Sequence, residues 1–288
     1  MWRGLFKTLI IAAFAAGALG LWLTRPQKVD PADFANIRGD AQRGELVYYA
    51  SGCRSCHKSS DKGANDLGGG MAFASPFGTF YAPNISMDET HGIGTWSQED
   101  FANAVIQGVS PAGQHYYPAF PYTSYNKMAP EDLADLWAYF RTLPAISTPS
   151  KPHDVGFPFN IRRGLGLWKQ LFNDNNWVAQ SASSDRGRYL VEALGHCAEC
   201  HTPRNMIGGL DKSQWLAGAP DPSGKGRVPA ITPSQLQWSA EDIAYYLESG
   251  FTPDFDSVGG HMTSVVDNMA QLPAEDRQAI AEYLLGLD

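Results

Sequence analysis

The sequence predicts an all-α protein in which an N-terminal membrane-spanning helix precedes two copies of one small helical domain. Three observations carry that prediction. An uncharged, almost wholly apolar run lies next to the N-terminus. The rest of the chain repeats itself once. Within each repeat apolar residues recur at helical spacing, and alternating strand-like runs are nearly absent.

The first element is the apolar run. A short basic lead, Met1-Trp-Arg-Gly-Leu-Phe-Lys7, precedes Thr8–Thr24, which carries no charge. Counted from Leu5, with Lys7 snorkelling, the run reaches the length that a bilayer core requires. A cleaved signal peptide is the competing reading, with Ala15, Ala16, Gly17 and Ala18 as the small residues of a cleavage site. The run continues through Leu19, Leu21, Trp22 and Leu23, and a Trp suits a membrane interface, so residues 1–24 are expected to be an uncleaved anchor. Residues 25–39 follow as a linker.

The repeat then occupies 40–146 and 184–288. Gly44-Glu-Leu-Val-Tyr-Tyr-Ala is matched by Gly187-Arg-Tyr-Leu-Val-Glu-Ala, and Pro83-Asn-Ile85 by Pro229-Ala-Ile231. Trp96-Ser-Gln-Glu-Asp-Phe, then Gly108 and Pro111, is matched without a gap by Trp238-Ser-Ala-Glu-Asp-Ile, then Gly250 and Pro253. Ser97 with Asp100, and Ser239 with Asp242, are capping-box starts. Gly108 and Gly250 are the corresponding stops. Pro130 and Pro273 are expected in the first turn of the closing helices. Those helices show Leu133, Leu136, Trp137, Phe140 and Ile280, Tyr283, Leu284, Leu287. Asp66–Gly78 and Ala217–Pro233 read as loops. The connector, 147–183, is rich in Phe and Trp and is expected to pack rather than to hang free.

Each repeat opens on the same chemistry. All four cysteines of the chain fall in Cys53-Arg-Ser-Cys56-His57 and Cys197-Ala-Glu-Cys200-His201. C-x-x-C-H is the attachment signature of c-type haem: two thiols couple to the vinyl groups, and the following His ligates the iron. Two disulfides would not require a His after each pair. A zinc site built from both pairs would bring them within about 15–20 residues of one another. A thioredoxin-like motif would need a strand–helix context that is not visible. Two covalently bound haem c groups are therefore expected, held by Cys53, Cys56, Cys197 and Cys200, with His57 and His201 as iron ligands. Because such attachment takes place outside the bacterial cytoplasmic membrane, the body is expected in the periplasm. The net charge of −8 argues against a nucleic-acid partner.

Several further runs carry a family resemblance. They are Asn84-Ile-Ser, Gly92-Ile-Gly-Thr-Trp-Ser, Tyr117-Pro-Ala-Phe-Pro-Tyr-Thr-Ser-Tyr-Asn-Lys-Met128, Pro158-Phe-Asn-Ile-Arg162, His201-Thr-Pro-Arg-Asn205 and Gly260-His-Met262. Over roughly 40–288 the chain resembles the c-type cytochrome subunits of membrane-bound bacterial alcohol, gluconate and fructose dehydrogenases, also found beside molybdenum hydroxylases. The resemblance implies a catalytic dehydrogenase partner of the PQQ, flavin or molybdenum type, and a quinone or terminal oxidase as acceptor. Those subunits usually carry three haems and a C-terminal anchor. This sequence has two motifs and an N-terminal anchor, which reads as a shortened form. It also has Pro229-Ala-Ile where Pro-Asn-Ile is usual, at the expected cost of a hydrogen bond near that haem.

With every cysteine used, the sixth ligand of each iron is Met, His or an open site. Met/His ligation raises the potential and saturates the iron, which suits electron transfer. Met262 is the candidate in the second repeat, ahead of Met206, Met269 and His261. In the first repeat Met128, which ends a run shared with the family, leads His115, Met71 and Met87; His115 would make a bis-His iron. Arg204 is a candidate partner for a haem propionate. Trp96 and Trp238 are expected in core or haem-edge packing, and His91 and His153 at the surface or in loops. The function read from these features is electron transfer from a dehydrogenase to the respiratory chain, with a dihaem enzyme such as a peroxidase as the alternative.

Overall fold

The computed structural model describes residues 2–59, 66–179, 184–221 and 226–287. The parts of the expected segments that fall at 1, 60–65, 180–183, 222–225 and 288 lie outside them. In chain order the elements are α1 (Trp2–Leu23), α2 (Ala41–Ala50), α3 (Cys53–His57), β1 (Ala72–Ser75), β2 (Gly78–Tyr81), α4 (Gln98–Gln107), α5 (Tyr122–Tyr125) and α6 (Pro130–Phe140). Then follow β3 (Asp154–Val155), α7 (Leu165–Phe172), α8 (Asp185–Arg188) running into a π-helical stretch at Tyr189–Leu194, α9 (Ala198–His201), β4 (Ala219–Pro220) and β5 (Arg227–Val228). The chain ends with α10 (Pro233–Leu236), α11 (Ala240–Ser249), α12 (Met262–Met269) and α13 (Ala274–Leu285).

Helix α1 has 22 residues and buries none of them. At 1.5 Å per residue it is about 33 Å long, close to the thickness of a hydrocarbon core. Its far end is held. Thr24 is buried, its carbonyl accepts a hydrogen bond from His115 Nε2 (2.9 Å), and Arg163 donates to Thr24 Oγ1 (2.9 Å) and to the Leu21 carbonyl (2.6 Å).

In the first half α2 packs along α6, and the contact is backbone against backbone. A Cβ on Gly44 would lie 1.9 Å from the Asp135 carbonyl oxygen and 3.0 Å from Tyr139 Cβ. The second half repeats this: a Cβ on Gly187 would lie 2.0 Å from the Ala279 carbonyl oxygen and 2.8 Å from Tyr283 Cβ. An Arg precedes each glycine and binds a closing-helix carboxylate in two-pronged fashion. Arg43 Nε and Nη2 reach Asp135 at 2.7 and 2.8 Å, and Arg186 reaches Asp276 at 2.8 and 2.7 Å. Asp135 also accepts the Asp40 backbone N–H (2.6 Å), so its buried charge is fully partnered. Both capping boxes form, and Gly108 and Gly250 end their helices at φ +58° and +77°.

Two expectations need correction. The stretches read as loops hold short strands. β1 and β2 form a hairpin turned at Gly78 (φ +129°), and β3 joins its edge; β4 pairs with β5. These strands are two to four residues long, too short for alternation to register in the sequence. Pro273 is not in the first turn either. It stands outside as the cap (ψ 149°), and α13 opens at Ala274, whereas Pro130 does sit inside α6. Matching the two Gly contacts pairs Tyr139 with Tyr283, which sets Pro273 opposite Ala129.

The aromatic connector packs as expected over its described part. Trp168 stacks near Phe172 (5.1 Å between rings) and Tyr122 (6.5 Å). Lys169 Nζ donates to the Gln107 and Gly108 carbonyls at the end of α4 and sits 4.4 Å from the Tyr122 ring centre. Burial pulls the Lys169 ammonium down to about 7, so the folded protein holds that proton less tightly than the unfolded chain. Stability is expected to rise between about pH 7 and the ordinary lysine value of 10.5, as the unfolded chain alone keeps the charge. Thermal melts of Lys169→Met are expected to show a lower Tm and a flatter pH dependence over that window.

Candidate haem sites

Each attachment motif sits on a short helix, and each motif histidine is oriented by a proline carbonyl. His57 Nδ1 lies 2.8 Å from the Pro83 carbonyl oxygen, and His201 Nδ1 lies 2.7 Å from that of Pro229. A carbonyl can only accept, so Nδ1 must carry the proton and Nε2 the lone pair. Burial holds both imidazoles below their ordinary range, with the carbonyl bond opposing. Both rings are thus neutral with Nε2 free to ligate, as iron requires, and the carbonyl supplies the orienting partner that metal-bound histidines use. The two matched prolines were visible as a repeat in the sequence; that their carbonyls aim the histidines was not.

The cysteines are not disulfide-bonded. As thiols, Cys53 and Cys197 are pushed up to about 12 by burial. Cys56 is pushed up to about 11 by burial and then by the neighbouring Cys200. Thiols that resist ionisation are poor thiolate ligands and poor redox nucleophiles. Among the described residues no group of three or more His, Cys, Asp or Glu side chains could hold a bare metal ion. The donor set fits thioether attachment and histidine ligation, once per half.

The two motifs adjoin. Tyr125 Oη donates to the Ser51 carbonyl (2.6 Å) just ahead of the first motif, and its ring meets His196, just ahead of the second, at 5.4 Å. Thr123 Oγ1 donates to Glu199, inside the second motif (3.1 Å). From the other side α12 reaches across. Asn268 Nδ2 donates to Ser55 Oγ (2.8 Å), Ser55 Oγ donates to the Ser264 carbonyl (3.3 Å), and Lys58 Nζ donates to Ser264 Oγ (3.0 Å). None of Tyr125, His196, Ser264 and Asn268 carries a sequence signature for this contact.

The remaining candidates are placed as follows. Met128 is buried in the hydrophobic core, with its N–H on the Tyr125 carbonyl (2.9 Å). Met262 is half-buried at the start of α12 and packs on the core. His115 is buried, but its Nε2 is engaged by the Thr24 carbonyl at the end of α1. Met269 is a core residue and Met206 is exposed. Arg204 pairs with Glu199 and donates to the Gly208 carbonyl (2.8 Å), so it braces the second motif. Asn84 holds the start of the connector: its Nδ2 donates to the Ile146 and Thr148 carbonyls at 2.6 and 2.8 Å. The Ala at 230 therefore forgoes that stitch. His153 is half-buried, accepting the Tyr81 N–H (3.1 Å).

The cytochrome c family profile matches residues 41–144. The chain is similar to a dihaem c-type cytochrome of Cereibacter sphaeroides, 54% identical over 275 residues and covering 93% of both chains. It is 36% identical to the fructose dehydrogenase cytochrome subunit of Gluconobacter japonicus, over 90% of this chain and 55% of that one. It is 38% identical to the gluconate 2-dehydrogenase cytochrome c subunit of Pantoea cypripedii, over 85% of this chain and 59% of that one. With two attachment motifs, two oriented histidines and this similarity along nearly its whole length, the chain belongs to the cytochrome c family, binds two haem c groups covalently and serves electron transfer.

Proposed function

We propose that the chain is the membrane-anchored electron-transfer subunit of a bacterial dehydrogenase complex. Its two haem domains, 40–146 and 184–288, arose by tandem duplication and face the periplasm on the α1 anchor. Electrons enter from a catalytic dehydrogenase subunit and leave to a quinone or terminal oxidase. Bound haem supplies a one-electron couple, and the chain supplies position, ligands and burial. The observation that carries the reading is the contact of the two motifs through Tyr125, His196, Ser55 and Asn268. A chain that only needed two independent carriers would have no reason to brace one attachment loop against the other. The duplication is supported by the paired Gly contacts, the paired Arg–Asp bonds and the paired capping boxes. The dehydrogenase partner is supported by the names of the relatives. The axial ligands are assigned as His57 with Met128, and His201 with Met262.

Purification from membranes in mild detergent, followed by mass spectrometry of the intact complex, tests the partner. A co-purifying dehydrogenase whose substrate reduces both haems is the expected result. Isolation of the cytochrome alone, with no such reduction on adding back any membrane dehydrogenase fraction, overturns it.

A further inference from the structure

The connector leaves a set of large apolar side chains uncovered around the place where α1 meets the body. Phe157 is 81% exposed, Leu171 67%, Ile161 54%, and Phe159 and Leu167 49% each. Nearby Met206 is 97% exposed, on a loop tied to α7 by the Trp168 indole N–H donating to the Ile207 carbonyl (2.8 Å). So many uncovered side chains in one neighbourhood mark a surface that is covered in use. The position of this face is set by the end of α1. Arg163 binds Leu21 and Thr24, and Gly166 is pressed so close to the Thr24 backbone that a Cβ there would lie 2.6 Å away. Leu167 adjoins Gly166, and Ile161 lies two residues before Arg163. Charge agrees: the chain carries −8 overall, yet neither 155–173 nor 1–29 contains any Asp or Glu. Arg25, Lys28, Arg162 and Arg163 lie in those acid-free stretches, and Arg25 rests over the Trp22 ring at 4.8 Å.

We propose that the face formed by residues 157–171 and the 206–207 loop lies in the headgroup layer of the membrane that α1 enters, as a second, interfacial attachment. This rests on reading α1 as a span. A helix that crosses the bilayer must bring Thr24 to the lipid surface, and whatever is bonded to Thr24 arrives there with it. Large apolar side chains on a stretch that holds cations and no acid between 155 and 173 suit the boundary between acyl chains and anionic headgroups. A protein partner on the same face would itself have to occupy the headgroup layer. Together with the bonds that hold Thr24 to His115 and Arg163, the attachment sets the tilt of the body on the membrane.

The test uses the full-length haem-loaded protein alone, in nanodiscs of phosphatidylcholine with a minority of phosphatidylglycerol. A phosphatidylcholine bearing a diazirine near its headgroup is included, and peptides are mapped by mass spectrometry after illumination. Lipid adducts are expected on 157–171 as well as on α1. The double variant Ile161→Ser/Leu167→Ser, altered only at exposed positions, is expected to lose connector adducts several-fold with an unchanged haem spectrum and unchanged α1 adducts. Adducts on α1 with none on the connector overturn this proposal and leave the anchor standing. Adducts on neither overturn both. Connector protection that requires a co-purifying dehydrogenase assigns the face to that protein and also overturns the proposal.

Discussion

Met128→Ala is expected to lower the potential of the first haem by on the order of 0.1 V, a fraction of the roughly 0.8 V that axial ligands span across haem proteins. The weak thioether-to-iron charge-transfer band of the oxidised protein should lose that haem's share, and the reduced variant should bind carbon monoxide. A thioether favours the ferrous state and keeps the iron six-coordinate. Met128 is a buried thioether, and Tyr125 ties its segment to Ser51, two residues ahead of Cys53. Met262→Ala should act in the same way on the second haem. His115→Ala is the discriminating control. Its Nε2 is spent on Thr24, so this variant should leave both haem spectra intact. A change in the first haem's spectrum on His115→Ala, with none on Met128→Ala, would show a bis-His iron. Rapid carbon monoxide binding by the unaltered protein would instead show an open site and favour an enzyme such as a peroxidase.

Gly44→Ala is expected to destabilise the first half by about 3 kcal/mol, at the upper end of overpacking costs. In an ordinary helix Ala would stabilise relative to Gly by roughly 0.5–1 kcal/mol. Here the new methyl would meet the Asp135 carbonyl at 1.9 Å, and a backbone atom cannot step aside. The α2–α6 pair would have to separate, loosening the bidentate Arg43–Asp135 contact with it. Gly187→Ala should do the same to α8 and α13. Denaturant unfolding of the full chain, followed by haem absorption, measures both. Gly17→Ala in α1, where a Cβ meets nothing within 4 Å, should be silent. A Gly44→Ala protein within about 0.5 kcal/mol of the parent, the scale of an ordinary surface change, would refute the close-approach argument.

Local chemistry was legible without coordinates. Cap residues, helix-ending glycines and C-x-x-C-H act within a few residues of themselves, so their spacing alone announces them, and both capping boxes and both αL stops form as expected. The short strands were not legible, because their pairing rests on backbone bonds that leave little side-chain pattern. Nor was the misplacement of Pro273, since two prolines of the same type can occupy different register positions.

Covalent attachment, helical periodicity and hydropathy are properties of neighbouring residues, so the cofactor chemistry, the helical character of both halves and the apolar N-terminal helix follow from residue order alone. Packing settled which carbonyls orient His57 and His201, that His115 serves the end of α1, and that the two attachment loops meet through Tyr125, His196, Ser55 and Asn268. Each of those contacts joins residues brought together by packing, some of them more than two hundred positions apart along the chain, and no spacing rule reaches that far.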